Sequence, residues 1–227
     1  MKIISGSKIK LEQTIAQKII QIINNKSNAK LLLATGDSPV GIYKNLINYY
    51  QDNKVSFNNV ITFNLDEYIE SDKYYIDSFA NFMKHKLFDY IDIKKENTFF
   101  PEGITEYNQK LDKIDYFDFT ILGVGQNGHI AFNEPGSKIT DRTKIVNLTQ
   151  STIMANFSNR TDYPKKAITM GIRDILKKSK LIYVVAWGEK KRAPIEKLLK
   201  KEIDQNCPVT YLLKHKNTIL FTDLDIF

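Results

Sequence analysis

The chain has 227 residues, 42% hydrophobic and 26% charged, with 33 lysines and arginines against 26 acidic residues and a formal net charge of +7. That is the size and balance of a globular domain with an ample core; no run reaches the roughly 18 uncharged apolar residues of a membrane span, so no membrane partner is expected. A single cysteine, Cys207, excludes an internal disulfide framework and a multi-cysteine metal site.

The N-terminal Met1-Lys2-Ile3-Ile4-Ser5-Gly6-Ser7-Lys8 turns polar before a signal-peptide apolar region could form, so the expected address is the cytoplasm. Further on, Leu11, Ile15, Ile19 and Ile22 recur at helical spacing. Leu31-Leu32-Leu33-Ala34 reads as a short buried strand ending at Thr35-Gly36-Asp37-Ser38-Pro39. There Ser38 fits a helix N-cap and Pro39 the first helical position, with the helix continuing through Ile42, Leu46 and Tyr49. Free N–H groups behind such a turn suit a phosphate, provided the Asp37 carboxylate points away.

Val60-Ile61-Thr62-Phe63 is the next strand, followed by Asn64-Leu65-Asp66-Glu67-Tyr68. Of two adjacent carboxylates at a strand end, one that lies in a cleft is a candidate general base. A third strand, Phe117–Leu122, leads into Gly123-Val124-Gly125-Gln126-Asn127-Gly128-His129-Ile130-Ala131-Phe132-Asn133-Glu134-Pro135-Gly136. Its first six residues satisfy G-x-G-x-x-G, but a dinucleotide fingerprint must open a helix, and Pro135-Gly136 breaks one early. NAD is therefore not expected. What remains is a glycine-lined loop in which His129 and Glu134 form an acid/base candidate, at a spacing that fits no zinc motif.

Ile168, Ile172, Ile175 and Leu176 again show the helical period. Leu181–Trp187 is a fourth strand, followed by Gly188-Glu189-Lys190-Lys191-Arg192-Ala193-Pro194. Three cations in a first helical turn oppose the helix dipole, and a phosphate contact for one of them would make the arrangement tolerable. Strand–helix alternation without a visible boundary predicts an α/β fold: one domain over 1–227, with a doubly wound, mostly parallel, Rossmann-like sheet and helices on both faces. Ligands of such sheets sit at the carboxyl ends of the strands, which is where all four motifs fall.

Taken together, Ala34–Pro39, Phe63–Tyr68, Leu122–Gly136 and Lys166-Ala167-Ile168-Thr169-Met170-Gly171-Ile172 resemble the glucosamine-6-phosphate deaminases (isomerising). The likeness runs from about residue 30 to the end. It implies a hydrolase that converts glucosamine 6-phosphate and water to fructose 6-phosphate and ammonia, with no cofactor and no metal. By that resemblance Asp66 takes the C2 proton of the opened sugar and returns it at C1. His129 assists ring opening, supported by Glu134 and Asn127. Thr35, Gly36, Asp37 and Ser38 cradle the phosphate, and Lys191 aligns with the family's phosphate-binding lysine.

The chain also departs from the family pattern. Asn127 stands where some members have aspartate, so it can hydrogen-bond but not relay a proton. Asp37 replaces a small residue, and Arg160 is the nearest substitute for an arginine expected soon after Ala155-Asn156. Lys144 stands where longer, allosteric members tend to have an effector-binding arginine, and the C-terminal extension of those members is not seen. The expectation is a non-allosteric monomer or small homo-oligomer.

Two other readings are less favoured. A 6-phosphogluconolactonase shares the fold, but Phe132–Pro135 and Asp66–Tyr68 look like the deaminase versions. A sugar-phosphate-binding regulator with a DNA-binding module draws mild support from the charge, because residues 165–227 carry 14 basic and 7 acidic residues while residues 1–164 balance. Apolar structure beginning at residue 3 leaves that module no room, so no nucleic acid is expected and the surplus lysines read as solvated surface. Galactosamine 6-phosphate remains an alternative epimer. His85 and His215 read as surface or structural residues, Cys207 as a small apolar filler, and Tyr74 and Tyr75 as core. The segments 66–78 and 136–164 are those expected to close over the substrate.

Overall fold

In the computed structural model, residues 1–69, 78–157 and 161–226 are described. Tyr74, Tyr75, Arg160 and parts of the two segments expected to close lie outside the described residues. Leu11, Ile15, Ile19 and Ile23, spaced four apart, give helix α1 (Lys8–Asn25) one apolar stripe, and all four are buried. That stripe packs beside helix α2 (Val40–Gln51), which buries Ile42, Tyr43 and Leu46. Strands β1 (Lys2–Ser5), β2 (Lys30–Leu33) and β3 (Ile61–Asn64) alternate with these helices, and β4 (Asp66–Ile69) follows β3 after one residue.

Helix α3 (Phe79–Lys86), β5 (Thr98–Phe99), α4 (Ile104–Asp112) and β6 (Phe119–Gly123) complete the first half. Next come β7 (Lys144–Asn147), α5 (Gln150–Phe157), β8 (Lys166–Thr169), α6 (Ile172–Lys178), β9 (Ile182–Ala186), α7 (Arg192–Leu199) and β10 (Thr218–Thr222).

Seven strands form one sheet in the order β1-β10-β9-β6-β2-β3-β5, and every pairing in it is parallel. Leu31–Leu33, Phe119–Leu122 and Ile182–Ala186 are buried throughout, as parallel strands covered on both faces require. From β2 the chain steps outward through β3 and β5, then returns to β6 and proceeds the other way through β9 and β10. With right-handed crossovers, that reversal puts α1 and α2 on one face of the sheet and α4, α6 and α7 on the other. The switch falls between β2 and β6, the place where open α/β sheets bind ligands.

A second, three-stranded antiparallel sheet, β4-β8-β7, branches from the first. The branch point is Leu65, whose N–H donates to Leu33 O and whose carbonyl accepts from Met170 N. A small apolar cluster of Tyr68, Phe132, Leu148, Phe157 and Ala167 covers this sheet.

This arrangement corrects three expectations. Ile168 is not helical: it pairs with Glu67 and Ile145 in the antiparallel ladders, and α6 begins only at Ile172. Helix α2 starts one residue later than Ser38-Pro39 suggest, with Pro39 at the cap and no capping bond from the Ser38 hydroxyl. Lys190 and Lys191 lie in a 3-10 turn (Glu189–Lys191), so only Arg192 occupies the first turn of α7.

Candidate active site

Because β9, β6, β2 and β3 are neighbours in the sheet, their four carboxyl-end loops converge. Specific contacts tie them together. Trp187 Nε1, at the end of β9, donates to Ser38 O at 2.9 Å. A Cβ built on Gly123 would lie 3.7 Å from Ser38 Cβ, so the β2 and β6 loops abut. Phe132 N donates to Thr169 Oγ1 at 3.1 Å, and Thr169 is the residue opposite Asp66 in the β4–β8 ladder. Asn133, fully buried, donates to both Ile130 O and Met170 O, fastening the β6 loop to β8. Residues 124–136 form turns and no helix, so the glycine pattern lacks the helix start that a dinucleotide pyrophosphate needs.

The two adjacent carboxylates separate completely. Glu67 accepts the backbone N–H groups of Tyr68, Phe79 and Ala80 at 2.8–2.9 Å and closes the N-terminus of α3. Asp66, on the opposite side of the strand, is 6% exposed, and no hydrogen bond reaches its carboxyl group from the described residues. Burial, reinforced by the neighbouring Glu67, pushes its pKa up to about 8 from the ordinary 3.8. A buried carboxyl group poised near neutrality is the form in which a carboxylate serves as a proton-transferring base.

In the β6 loop, Asn127 Nδ2 donates to Glu134 Oε2 at 2.7 Å while Asn127 Oδ1 accepts the His129 N–H at 3.1 Å. His129 Nδ1 stands 3.3 Å from Glu134 Oε1, within ion-pair reach but off-line for a hydrogen bond, and has no other partner among the described residues. Burial alone would raise the Glu134 pKa; the His129 ring, Asn127 and Thr152 outweigh it and bring it down to about 2. The carboxylate is therefore ionised throughout the physiological range. Two glycines are required by this geometry. A Cβ on Gly125 would sit 2.3–2.4 Å from the ring atoms of His129, and Gly128, at φ +85°, leaves no room between its backbone and Cys207 Sγ.

On the β2 side, Thr35 and Ser38 are partly exposed, Gly36 turns the chain at φ +81°, and Asp37 is exposed. No heavy atom of the described residues lies within 4 Å of a Cβ built on Gly36, so the space over this turn is open. Across the cleft, Arg192 is engaged by Glu189 through two bonds at 2.7 and 2.8 Å. Lys191 is half-buried, with its pKa lowered by burial and by Lys190, and no acidic partner among the described residues. Of the three neighbouring cations, Arg192 is paired with Glu189, Lys190 is exposed, and Lys191 is half-buried.

Reading the sequence alone missed the residues that hold these groups. Thr149 and Thr152, at the start of α5, both approach Glu134 Oε1, and Thr169 and Asn133 anchor the loop. The Thr149-Gln150-Ser151-Thr152 run before apolar Ile153 is a legible capping signal, but its carboxylate partner is fixed only by the tertiary fold.

The chain is similar to several known proteins. The family model for glucosamine-6-phosphate isomerases/6-phosphogluconolactonase matches residues 7–221. A glucosamine-6-phosphate deaminase of Malacoplasma penetrans is 43% identical, with 93% of each chain covered. One of a Thermoanaerobacter species is 40% identical over 92% of this chain and 86% of its own. The solved structure of a monomeric glucosamine-6-phosphate deaminase, described as a missing link of the NagB superfamily, superposes with a TM-score of 0.93 at 35% identity, over 98% of this chain and 97% of that one. The 6-phosphogluconolactonase of Thermotoga maritima, at 19% identity and a TM-score of 0.75 over 97% of both chains, shares the fold.

Proposed function

The chain belongs to the glucosamine-6-phosphate isomerase/6-phosphogluconolactonase family, and from that premise we propose that it is a glucosamine-6-phosphate deaminase. The observation that carries the deaminase over the lactonase reading is Asp66, a buried carboxyl group with a raised pKa just past the carboxyl end of β3. Opening a lactone with water requires no abstraction of a carbon-bound proton, whereas aldose–ketose isomerisation does.

The proposed sequence begins with the closed sugar, its phosphate held between the Thr35–Ser38 turn and Lys191. Asp37, exposed, contributes backbone only. His129, held against Glu134, exchanges a proton with the ring oxygen as the ring opens. Asp66 then takes the C2 proton and returns it at C1 while an amine proton passes to O1, so the aldehyde becomes a primary alcohol and the C2–amine an imine, which water hydrolyses to the ketone and ammonia. The overall reaction is a hydrolysis of a carbon–nitrogen bond that needs only a side-chain acid and base. Arg160, outside the described residues, is the proposed second cation for the phosphate. We assign the whole of 1–227 to one catalytic domain acting in the cytoplasm as a monomer or small homo-oligomer. No helix of the described residues is long and apolar enough to cross a membrane.

The direct test supplies purified protein with glucosamine 6-phosphate, galactosamine 6-phosphate and a 6-phosphogluconolactone in parallel. Equimolar ammonia and fructose 6-phosphate from the first is the expected result; hydrolysis of the lactone alone overturns the assignment. Because Asp66 works ionised and its pKa is raised, kcat/KM is expected to fall tenfold per pH unit below about 8. An acid limb near pH 4, the ordinary aspartate value, would remove Asp66 from the base role. Lys191→Ala is expected to raise KM by about 10- to 100-fold with kcat little changed, because a phosphate contact is present in ground and transition states alike. A loss confined to kcat contradicts the phosphate role.

A further inference from the structure

The β6 loop alone does not account for how Glu134 is aimed. Its Oε2 is fixed by Asn127 at 2.7 Å, but its Oε1, the oxygen facing His129, is fixed from another element altogether. Thr152 Oγ1 lies 2.9 Å from Oε1 and Thr149 Oγ1 lies 3.3 Å from it, with 3.0 Å between the two hydroxyls. Thr149 also accepts the Thr152 N–H at 3.3 Å, capping α5. Each hydroxyl has one proton to give. The consistent chain runs from the Thr149 hydroxyl to Thr152 Oγ1, and from the Thr152 hydroxyl to Glu134 Oε1.

We propose that Thr152 is a positioning residue for ring opening: with Asn127 it locks the plane of the Glu134 carboxylate, so that Oε1 confronts His129 Nδ1. The proposal rests on the deaminase reading of this site. The physical reason is that a carboxylate turns about its terminal torsion unless both oxygens are held, and here one bond holds each. A carboxylate oxygen held 3.3 Å from Nδ1 favours an N–H on that nitrogen through its charge, even without an in-line hydrogen bond, and directs proton exchange with the sugar to Nε2. Thr152 is 5% exposed, so it acts through Glu134 and does not meet the substrate. The placement also makes the acid/base pair depend on α5, an element that supplies no reacting group.

Thr152→Val keeps the shape of the side chain and removes the hydroxyl. It is expected to lower kcat on glucosamine 6-phosphate about tenfold, as one lost hydrogen bond to a charged group predicts, with KM within about twofold. T152S restores the hydroxyl and is expected within about threefold of the parent. In an E134Q background, T152V is expected to cost less than about twofold more, because the carboxylate it orients is already gone. Affinity for the reduced, open-chain amino-alditol 6-phosphate should be the same in T152V and parent, showing an intact site. Equal losses in both backgrounds, T152S as slow as T152V, or T152V at the parental rate each overturn the proposal. T152A removes the same hydroxyl and takes the place of T152V if that variant does not fold. A parent protein that releases no ammonia from the sugar fails the deaminase reading itself, which distinguishes that failure from a fault in the Thr152 role.

Discussion

Asp66→Asn is expected to lower kcat by about 10⁴-fold, the upper end for a positioned proton-transfer group, while making the protein more stable above pH 4. Both effects have one cause. Burial beside Glu67 raises the Asp66 pKa to about 8 in the folded chain, against 3.8 when unfolded. Between those two values the folded state binds the proton more tightly than the unfolded state, so stability falls as pH rises through that window and stays reduced above it. Asparagine carries no such cost. At pH 8 the gain should be on the order of a few kcal/mol, since every tenfold difference in proton affinity between the two states is worth about 1.4 kcal/mol, and a domain of this size gains about 2–4 °C in Tm for each kcal/mol. Below pH 4 the two proteins should melt together. The activity arm is read by deuterium exchange at C2 in heavy water, with binding measured separately. Exchange retained in the variant, or a variant less stable at pH 8, contradicts the assignment.

Gly125→Ala should also be damaging, though less so, and it removes no functional group. Its methyl would lie 2.3 Å from His129 Cε1 and 2.4 Å from both ring nitrogens, so the ring must leave its place. The side chain is 28% exposed and can swing toward solvent, which spares the fold but breaks the approach to Glu134. A displacement of about 1 Å at a reacting group can cost about 10² in rate. The expected signature is a kcat loss of that size and a melting temperature close to the parent's. In combination with His129→Gln, which removes the group being displaced, the alanine should add almost nothing. A fully active Gly125→Ala would show that the imidazole is not needed where it sits.

Much of this site was legible in the sequence because parallel strands buried on both faces announce themselves as short apolar runs, and the residues after each run are the ligand-facing ones. Leu31–Ala34, Val60–Phe63, Phe117–Leu122 and Leu181–Trp187 mark β2, β3, β6 and β9 to within a few residues. The second sheet was not legible. Asp66–Ile69 and Lys144–Asn147 carry polar residues on faces that the small cluster around Tyr68 covers, and Ile168 fell into a helical period by coincidence. Alternation along a strand does say that Asp66 and Glu67 point opposite ways. It cannot say which one meets the cleft, because that depends on where α3 begins. The same limit applies to Lys191 and Arg192: composition gives three adjacent cations, and only the fold shows that Glu189 has already claimed one of them.

The pairing of β1 with β10 bears on how the chain acquires its shape. Lys2–Ser5 lies at the edge of the main sheet, and its one neighbour there, Thr218–Thr222, comes about 200 residues later. Along a growing chain the first strand therefore stays without a ladder partner until the other six strands have been made. Closing so long a loop costs little more in entropy than closing a moderate one, but contacts this remote in sequence make for slow folding. Pulse-labelled hydrogen exchange during refolding should accordingly find the amides of Ile4 and Leu220 protected after those of Leu32 and Ile121. Protection in that order would mean a sheet built outward from the switch point, with the loops of the candidate site framed before its outer edge is closed.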